Sequence, residues 1–256
     1  MALHPNQAEL ITGDADGAIK VWDLTAGRCM VQLQPEKEVP VSSVTMAVDA
    51  SLLVAALYNG CCYVWNPSSS GDGSSPRGGS GSAPAPAPTA ASASAPAETD
   101  ASADRAGGEG GDKGGEVSSV GEGSTGKDGA VAEEMAEVGD FAAGYTPVKR
   151  LRAHRGYILR CCLSPDAQTL ATTSCDSTVK LWNVRDFSLT NTLAGHERWV
   201  WDCAFSADSS FLVSASSDAQ ARLWDCTSGE TVRTYGGHGG HTKAITAVAL
   251  SDASPS

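Results

Sequence analysis

Short apolar runs alternate with polar turn residues at both ends of the chain, and the middle has neither. Ile19–Val21 and Thr178–Leu181 are β-branched stretches set between Gly, Asp and Asn, a pattern that predicts short strands joined by tight turns. Trp22, Trp65, Trp182 and Trp224 each close such a run, and each is followed by Asp or Asn. Trp22 and Trp65 are 43 residues apart, and Trp182 and Trp224 are 42 apart. The 117 residues from Trp65 to Trp182 exceed one such interval by 75. Four repeats are therefore expected, with a foreign segment inserted after the second. A period of this length closed by Trp-Asp is the signature of four-stranded propeller blades.

Two further intervals recur. Asp16, Asp176 and Asp218 each lie six residues before a repeat tryptophan, and His154 and His196 each lie 22 before an aspartate. The spacing predicts a buried relay in which the aspartate accepts from the histidine, a strand hydroxyl continues the chain and the indole N–H ends it. Each buried polar group then has a partner. Thr172 and Ser214, four residues before their aspartates, supply the hydroxyls. The expected relays are His154, Thr172, Asp176 and Trp182 in the third repeat, and His196, Ser214, Asp218 and Trp224 in the fourth. Asp16 and Trp22 belong to the first. In the second repeat Asn59 and Lys37 stand at the Asp and His positions, so that blade is expected to lack the relay. A catalytic His–Asp pair would occur once, so duplication favours architecture over catalysis.

The first strand of each blade carries apolar residues at +4, +7 and +9 from its histidine: Ile158, Cys161 and Leu163, then Val200, Cys203 and Phe205. Ile245, Val248 and Leu250 repeat the pattern after His241. A strand alternates with period two, so the step of three demands a bulge that turns the +5 residue out at the rim. The +3 and +5 residues are Trp199 and Trp201 in the fourth repeat, and Tyr157 and Leu159 in the third. Trp199 can also cover the edge of a neighbouring blade, whereas Trp201 has no core role in the pattern. These four are the candidate partner surface.

Composition isolates the middle. Thirteen of the thirty acidic residues lie in 67–146, against four basic ones, so the remaining chain is close to neutral. No aromatic residue occurs between Trp65 and Phe141. A Gly, Ser, Ala, Pro and acid tract cannot bury enough apolar surface to offset its ordering entropy, so disorder is expected there. The division is then 1–66 as two blades, the first without its first strand, 67–146 as insertion, and 147–256 as two blades plus a terminal strand over Ala244–Leu250. A near-neutral body does not fit nucleic-acid binding, which needs a basic stripe. The longest apolar run, Leu52–Tyr58, is too short to span a bilayer, and the start of the chain shows no secretory signal. Eight cysteines without a CxxC pair read as thiols rather than a zinc site or disulfide frame. Gly121–Lys127 fits a phosphate-loop pattern, but Asp128 follows where Ser or Thr is needed, and neither the strand nor the helix is expected. Ser75-Pro76-Arg77 and Thr146-Pro147 are weak phosphosite candidates. Glu133–Asp140 reads as a solvated acidic stretch with a transient helix as the other reading.

The repeats resemble WD repeats of the β-propeller superfamily. Leu3–Ile11 (LHPNQAELI), Gly17–Leu24 (GAIKVWDL), Tyr63–Asn66 (YVWN), Ser216–Trp224 (SSDAQARLW) and Gly229–His238 (GETVRTYGGH) are similar to the G-protein-β-like WD subunits of target-of-rapamycin (TOR) kinase complexes. The resemblance implies an all-β propeller, about four blades of a seven-bladed architecture, starting at the second strand of the family's fourth blade. It implies a non-catalytic scaffold that binds the TOR kinase catalytic domain and other subunits of the complex in growth and nutrient signalling. It also implies a cytoplasmic place, peripheral to endolysosomal membranes through the complex. No cofactor, metal, small-molecule substrate or membrane insertion is expected. The kinase-docking face matches at Trp199, Trp201 and Tyr157, and Leu159 joins them by geometry. The rival readings are a generic WD adaptor with another partner, a non-functional truncated fragment, and a propeller-based hydrolase.

Overall fold

The alternation of apolar and polar positions resolves into four antiparallel sheets, one per repeat. The structure is a computed structural model that describes residues 1–67 and 144–251, together with the strand backbone of Ala132–Glu133. The first sheet runs β1 (Ala2–Leu3), β2 (Glu9–Gly13), β3 (Ile19–Asp23) and β4 (Arg28–Leu33). The second holds β5 (Val41–Met46), β6 (Leu53–Leu57), β7 (Cys61–Pro67), β8 (Ala132–Glu133) and β9 (Tyr145–Arg152), in the order β5-β6-β7-β9-β8. The third is β10 (Ile158–Leu163), β11 (Thr169–Ser174), β12 (Thr178–Asn183) and β13 (Leu189–Ala194). The fourth is β14 (Val200–Phe205), β15 (Phe211–Ser216), β16 (Ala221–Asp225) and β17 (Thr231–Tyr235).

The later sheets pack through their first strands, β5 against β10 and β10 against β14, and the first sheet meets β5 through β1 and β2. The core is the set of layers between them. Val54, Ala56 and Val64 meet Ile158, Leu170 and Trp182 between the second and third sheets. Ala171, Val179 and Leu181 meet Val200, Leu212 and Trp224 between the third and fourth. A sheet covered on both faces needs apolar residues at every position rather than at alternate ones. All five residues of β6 are accordingly buried.

The bulge demanded by the +4, +7 step is present. The register of β10 on β11 jumps between Ile158 and Arg160, and that of β14 on β15 between Val200 and Asp202. The residues skipped are Leu159 and Trp201. The turn after the second strand also repeats, with positive φ at Gly17, Gly60, Ser177 and Ala219. At Gly60 the next blade leaves no room for a side chain, because a Cβ there would lie 2.3 Å from the His154 carbonyl oxygen.

Four expectations are corrected. The first blade has a two-residue first strand, since β1 pairs with Leu10 and Ile11. The second blade extends into the expected insertion at both ends. β7 runs to Pro67 and pairs there with Tyr145, whose buried ring anchors the returning chain against Tyr63 and Trp65. β8 lies inside the same tract and adds to the outer edge of β9 at Leu151 and Arg150, as an unpaired strand edge permits. Residues 244–250 form no strand pairing. They lie against the fourth sheet, where the Ile245 N–H donates to the Ser216 carbonyl at 3.0 Å and the Val248 N–H to Asp202 Oδ2 at 3.1 Å. Gly121–Lys127, Ser75-Pro76-Arg77 and residues 134–140 lie outside the described residues. Among the described residues no helix is long and apolar enough to cross a membrane.

Candidate functional site

The third and fourth blades carry matching buried networks. His154 Nδ1 lies 2.8 Å from Asp176 Oδ2 and its Nε2 lies 2.8 Å from Thr172 Oγ1. The Trp182 indole N–H donates to the same hydroxyl at 3.0 Å. In the fourth blade His196 Nδ1 is 2.8 Å from Asp218 Oδ2, its Nε2 is 2.7 Å from Ser214 Oγ, and Trp224 donates to that oxygen at 2.8 Å. Because the hydroxyl accepts from the indole, its own proton goes to Nε2. Nε2 must then be the acceptor and Nδ1–H the donor to the carboxylate. The neutral histidine is the form that satisfies every member. Burial pushes the Asp176 carboxyl up, but the hydrogen bonds from His154 and Thr178 outweigh it and hold the group at about 2. Burial lowers the His196 pKa, outweighing the opposite pull of Asp218.

The first two blades differ. Trp22 donates to Thr12 Oγ1 at 2.8 Å, but Asp16 is exposed, and Asp14 caps the turn by accepting from the N–H groups of Asp16 and Ala18. Asp16 therefore stands outside the relay expected for it: with no histidine packed over it, the carboxylate turns to water. The second blade has a substitute that the spacing did not reveal. Glu36 accepts from Asn59 Nδ2 at 2.6 Å and from the Tyr63 hydroxyl, and Arg150 binds both Tyr63 Oη, at 2.8 Å, and Glu36, at 3.2 Å. A carboxylate, an amide, a phenol and a guanidinium thus pair with one another in the blade that lacks the histidine and aspartate. The signal was faint, since Glu36 is offset by one from the repeat position and Arg150 comes from beyond the insertion.

The imidazoles and hydroxyls of these networks lie out of contact with solvent. Thr172 and Ser214 are fully buried, and each hydroxyl is bonded to both an imidazole and an indole. Burial pushes the Cys161 thiol up to about 12 and holds Cys62 and Cys203 well above their usual range, so these sulfurs stay protonated and poorly nucleophilic. Among the described residues no group of three or more His, Cys, Asp or Glu is arranged to hold a metal ion.

The rim is different in kind. Tyr157 is 53% exposed and Trp199 45% exposed, and Trp201 and Leu159 are half-buried. The rings of Trp199 and Trp201 lie 5.6 Å apart, and the Trp201 indole donates to Ser217 Oγ at 2.6 Å. Tyr58, which the repeat spacing did not single out, is 41% exposed and its ring lies 5.5 Å from that of Tyr157. One backbone bond places the whole set. Tyr58 donates to Pro40 O, Cys175 to Tyr157 O and Ser217 to Trp199 O, at 2.9–3.0 Å, in three successive blades. The position before the turn Asn or Asp therefore faces the +3 residue, which is the rule that finds Tyr58. Between the third and fourth blades a cavity of about 360 Å³ is lined by Cys175, Ser177, Glu197, Arg198, Trp199 and Ser217.

Comparison with known proteins agrees with this geometry. The profile described as WD domain, G-beta repeat matches residues 1–23, 145–183 and 187–225. The chain is 36% identical over 188 residues to "Target of rapamycin complex subunit wat1" of Schizosaccharomyces pombe, covering 73% of this chain and 38% of that protein. It is 38% identical over 196 residues to "Target of rapamycin complex subunit LST8" of Saccharomyces cerevisiae, covering 76% of this chain and 42% of that protein. It is also 36% identical over 196 residues to "Non-functional target of rapamycin complex subunit LST8-2" of Arabidopsis thaliana, covering 76% of this chain and 41% of that protein. The chain spans about two-fifths of the length of these curated relatives.

Proposed function

We propose that this chain, whose repeats match the WD domain, G-beta repeat profile, is a non-catalytic scaffold subunit of a TOR kinase complex, docking the kinase catalytic domain on the rim that carries Trp199, Trp201 and Tyr157. The similarity to proteins named as TOR complex subunits supports the choice of complex. One observation carries the docking site: Trp199 is exposed in a blade whose repeat tryptophan, Trp224, is buried. Propeller packing needs Trp224 and does not need Trp199. Large aromatic side chains held rigid at a surface are the usual anchors of protein interfaces, since they bury much area at little entropic cost. Leu159 extends the patch at the equivalent position of the third blade.

The scaffold reading fits the chemistry, because the histidines and hydroxyls of the two networks are buried and the core thiols stay protonated. The complex would place the chain in the cytoplasm. Other subunits of the complex remain available to the outer strands, of which β17 is exposed along its whole length. The direct test is co-purification of the full chain with the TOR kinase catalytic domain. Retention of the kinase domain on the immobilised chain, and not on an unrelated WD propeller, supports the proposal. Equal retention on both favours a generic adaptor. No retention contradicts a TOR scaffold and favours a non-functional relative, as the name of the Arabidopsis protein records for one homologue.

A further inference from the structure

Residues 241–250 sit on the fourth sheet where the first strand of a further blade would sit. Val41, at +4 in the second blade, donates its N–H to the Asp14 carbonyl of the first at 2.9 Å. Ile245, at +4 from His241, donates to the Ser216 carbonyl at 3.0 Å. Asp14 and Ser216 are equivalent, each two residues before the turn aspartate. A second contact also recurs, between the +6 side chain of one blade and the +7 backbone of the next. Ser43 Oγ donates to the Cys161 carbonyl at 3.4 Å, and Asp202 Oδ2 accepts from the Val248 N–H at 3.1 Å. Yet the segment pairs with no second strand among the described residues. His241 is exposed, whereas His154 and His196, in completed relays, are buried.

The first sheet shows the reverse. Thr12 Oγ1 accepts from the Trp22 indole, as Thr172 and Ser214 accept from theirs, and Asp16 stands at the relay position, but no histidine joins them. Trp22 and its cross-strand neighbour Leu10 are only half-buried, although Trp65, Trp182 and Trp224 are buried. The fourth sheet is open at the matching place. A cavity of about 510 Å³ is bounded there by Ala221, His241, Ile245 and Val248. Ala221 corresponds to Val179, which packs with Trp224 between the third and fourth blades.

We propose that a second copy of the chain fills this place, its first sheet packing on the fourth sheet of its neighbour with Trp22 in the cavity. The neighbour's residues 245–250 add to the edge of β2 as an extra strand, and the neighbour's His241 completes the relay of Thr12, Asp16 and Trp22. In the register of β10 on β11, Val248 lies opposite Thr12 and residue 247 opposite Gly13. β1 covers only Leu10 and Ile11, so this part of the edge is open and two residues yield where the strand continues. Two such joints related by a two-fold axis use both surfaces of both copies. They close a ring of eight sheets, within the range of propellers, where a joint that failed to close would give a filament.

Sedimentation equilibrium of the full chain tests this. Wild type is expected to form a species of twice the 26.2 kDa chain mass. A monomer at every concentration, or an open-ended series of larger species, overturns the proposal. His241→Ala and Asp16→Ala should each weaken the dimer about tenfold or more, because each leaves the rest of the relay without a partner. Both residues are exposed in the single chain, so unchanged melting of dilute protein is the folding control. Val248→Pro, which removes the N–H bonded to Asp202, should act in the same direction. Mixing the His241→Ala and Asp16→Ala chains restores one intact relay per ring, so the mixed dimer should be tighter than either variant alone. Absence of that rescue, or a dimer indifferent to all three substitutions, overturns the joint. A wild-type monomer whose melting midpoint falls in both His241→Ala and Asp16→Ala overturns it too and assigns closure within one chain.

Discussion

Thr172 and Ser214 each do two things at once, accepting from an indole and donating to an imidazole, so they cannot be replaced by a side chain of the same shape alone. Thr172→Val keeps the volume but leaves both His154 Nε2 and the Trp182 N–H without a partner. Leaving buried polar groups unpaired costs about 1–3 kcal/mol each, so chemical denaturation of this variant should show a loss in that range or above. The same chemistry sets a pH dependence. The folded-state pKa of His196 is lowered, so its contribution is present above the unfolded value of about 6.5 and is lost as pH falls through the lower folded value. Asp176, held at about 2, contributes above the unfolded value near 3.9, and that part is lost as pH falls further. The melting temperature should therefore be level near pH 7–8, decline below about 6.5 and decline again below about 4. In His196→Gln, less stable throughout, the first decline should vanish from the curve.

At the level of strands and turns, much of the structure was legible because repetition makes a small signal add up. Trp22, Trp65, Trp182 and Trp224 located four sheets, and the +4, +7 step located the bulges at Leu159 and Trp201. What repetition could not show were contacts made once. Glu36, Asn59, Tyr63 and Arg150 replace a relay with residues outside the repeat positions, and Arg150 reaches them only after the inserted tract. Tyr145 gave no sign that it would re-form the second blade, because its partners Tyr63 and Trp65 lie 80 or more residues earlier. Tyr58 was hidden at the end of the apolar run Leu52–Tyr58, where the +3 and +5 pattern does not reach. The turn at Gly60 makes an element-scale prediction. Gly60→Ala places a Cβ against the His154 carbonyl in a left-handed conformation, so it should destabilise by well over the ~1 kcal/mol that the conformation alone costs. Ser177→Gly, at the equivalent turn of the next blade, should be neutral or slightly stabilising in the same thermal melt.

For the molecule as a whole, the sheets carry the fold and the acidic tract is expected to be dispensable to it. Residues 72–127 contain no aromatic side chain that could join a core. Replacing them with a short Gly/Ser linker, while keeping Ala132–Glu133 and Tyr145, should move the melting midpoint by no more than a few degrees; a larger loss would show that the tract stabilises the blades. The central claim concerns the rim, and one measurement tests it most directly: the affinity of the full chain for the TOR kinase catalytic domain, wild type against Trp201→Ala, with thermal melts confirming that both are folded. Truncating a central interface tryptophan typically costs about 2–4 kcal/mol, so Trp201→Ala should bind roughly 30-fold more weakly or worse. Equal affinity in a folded Trp201→Ala chain would contradict the account and move the dock to another face.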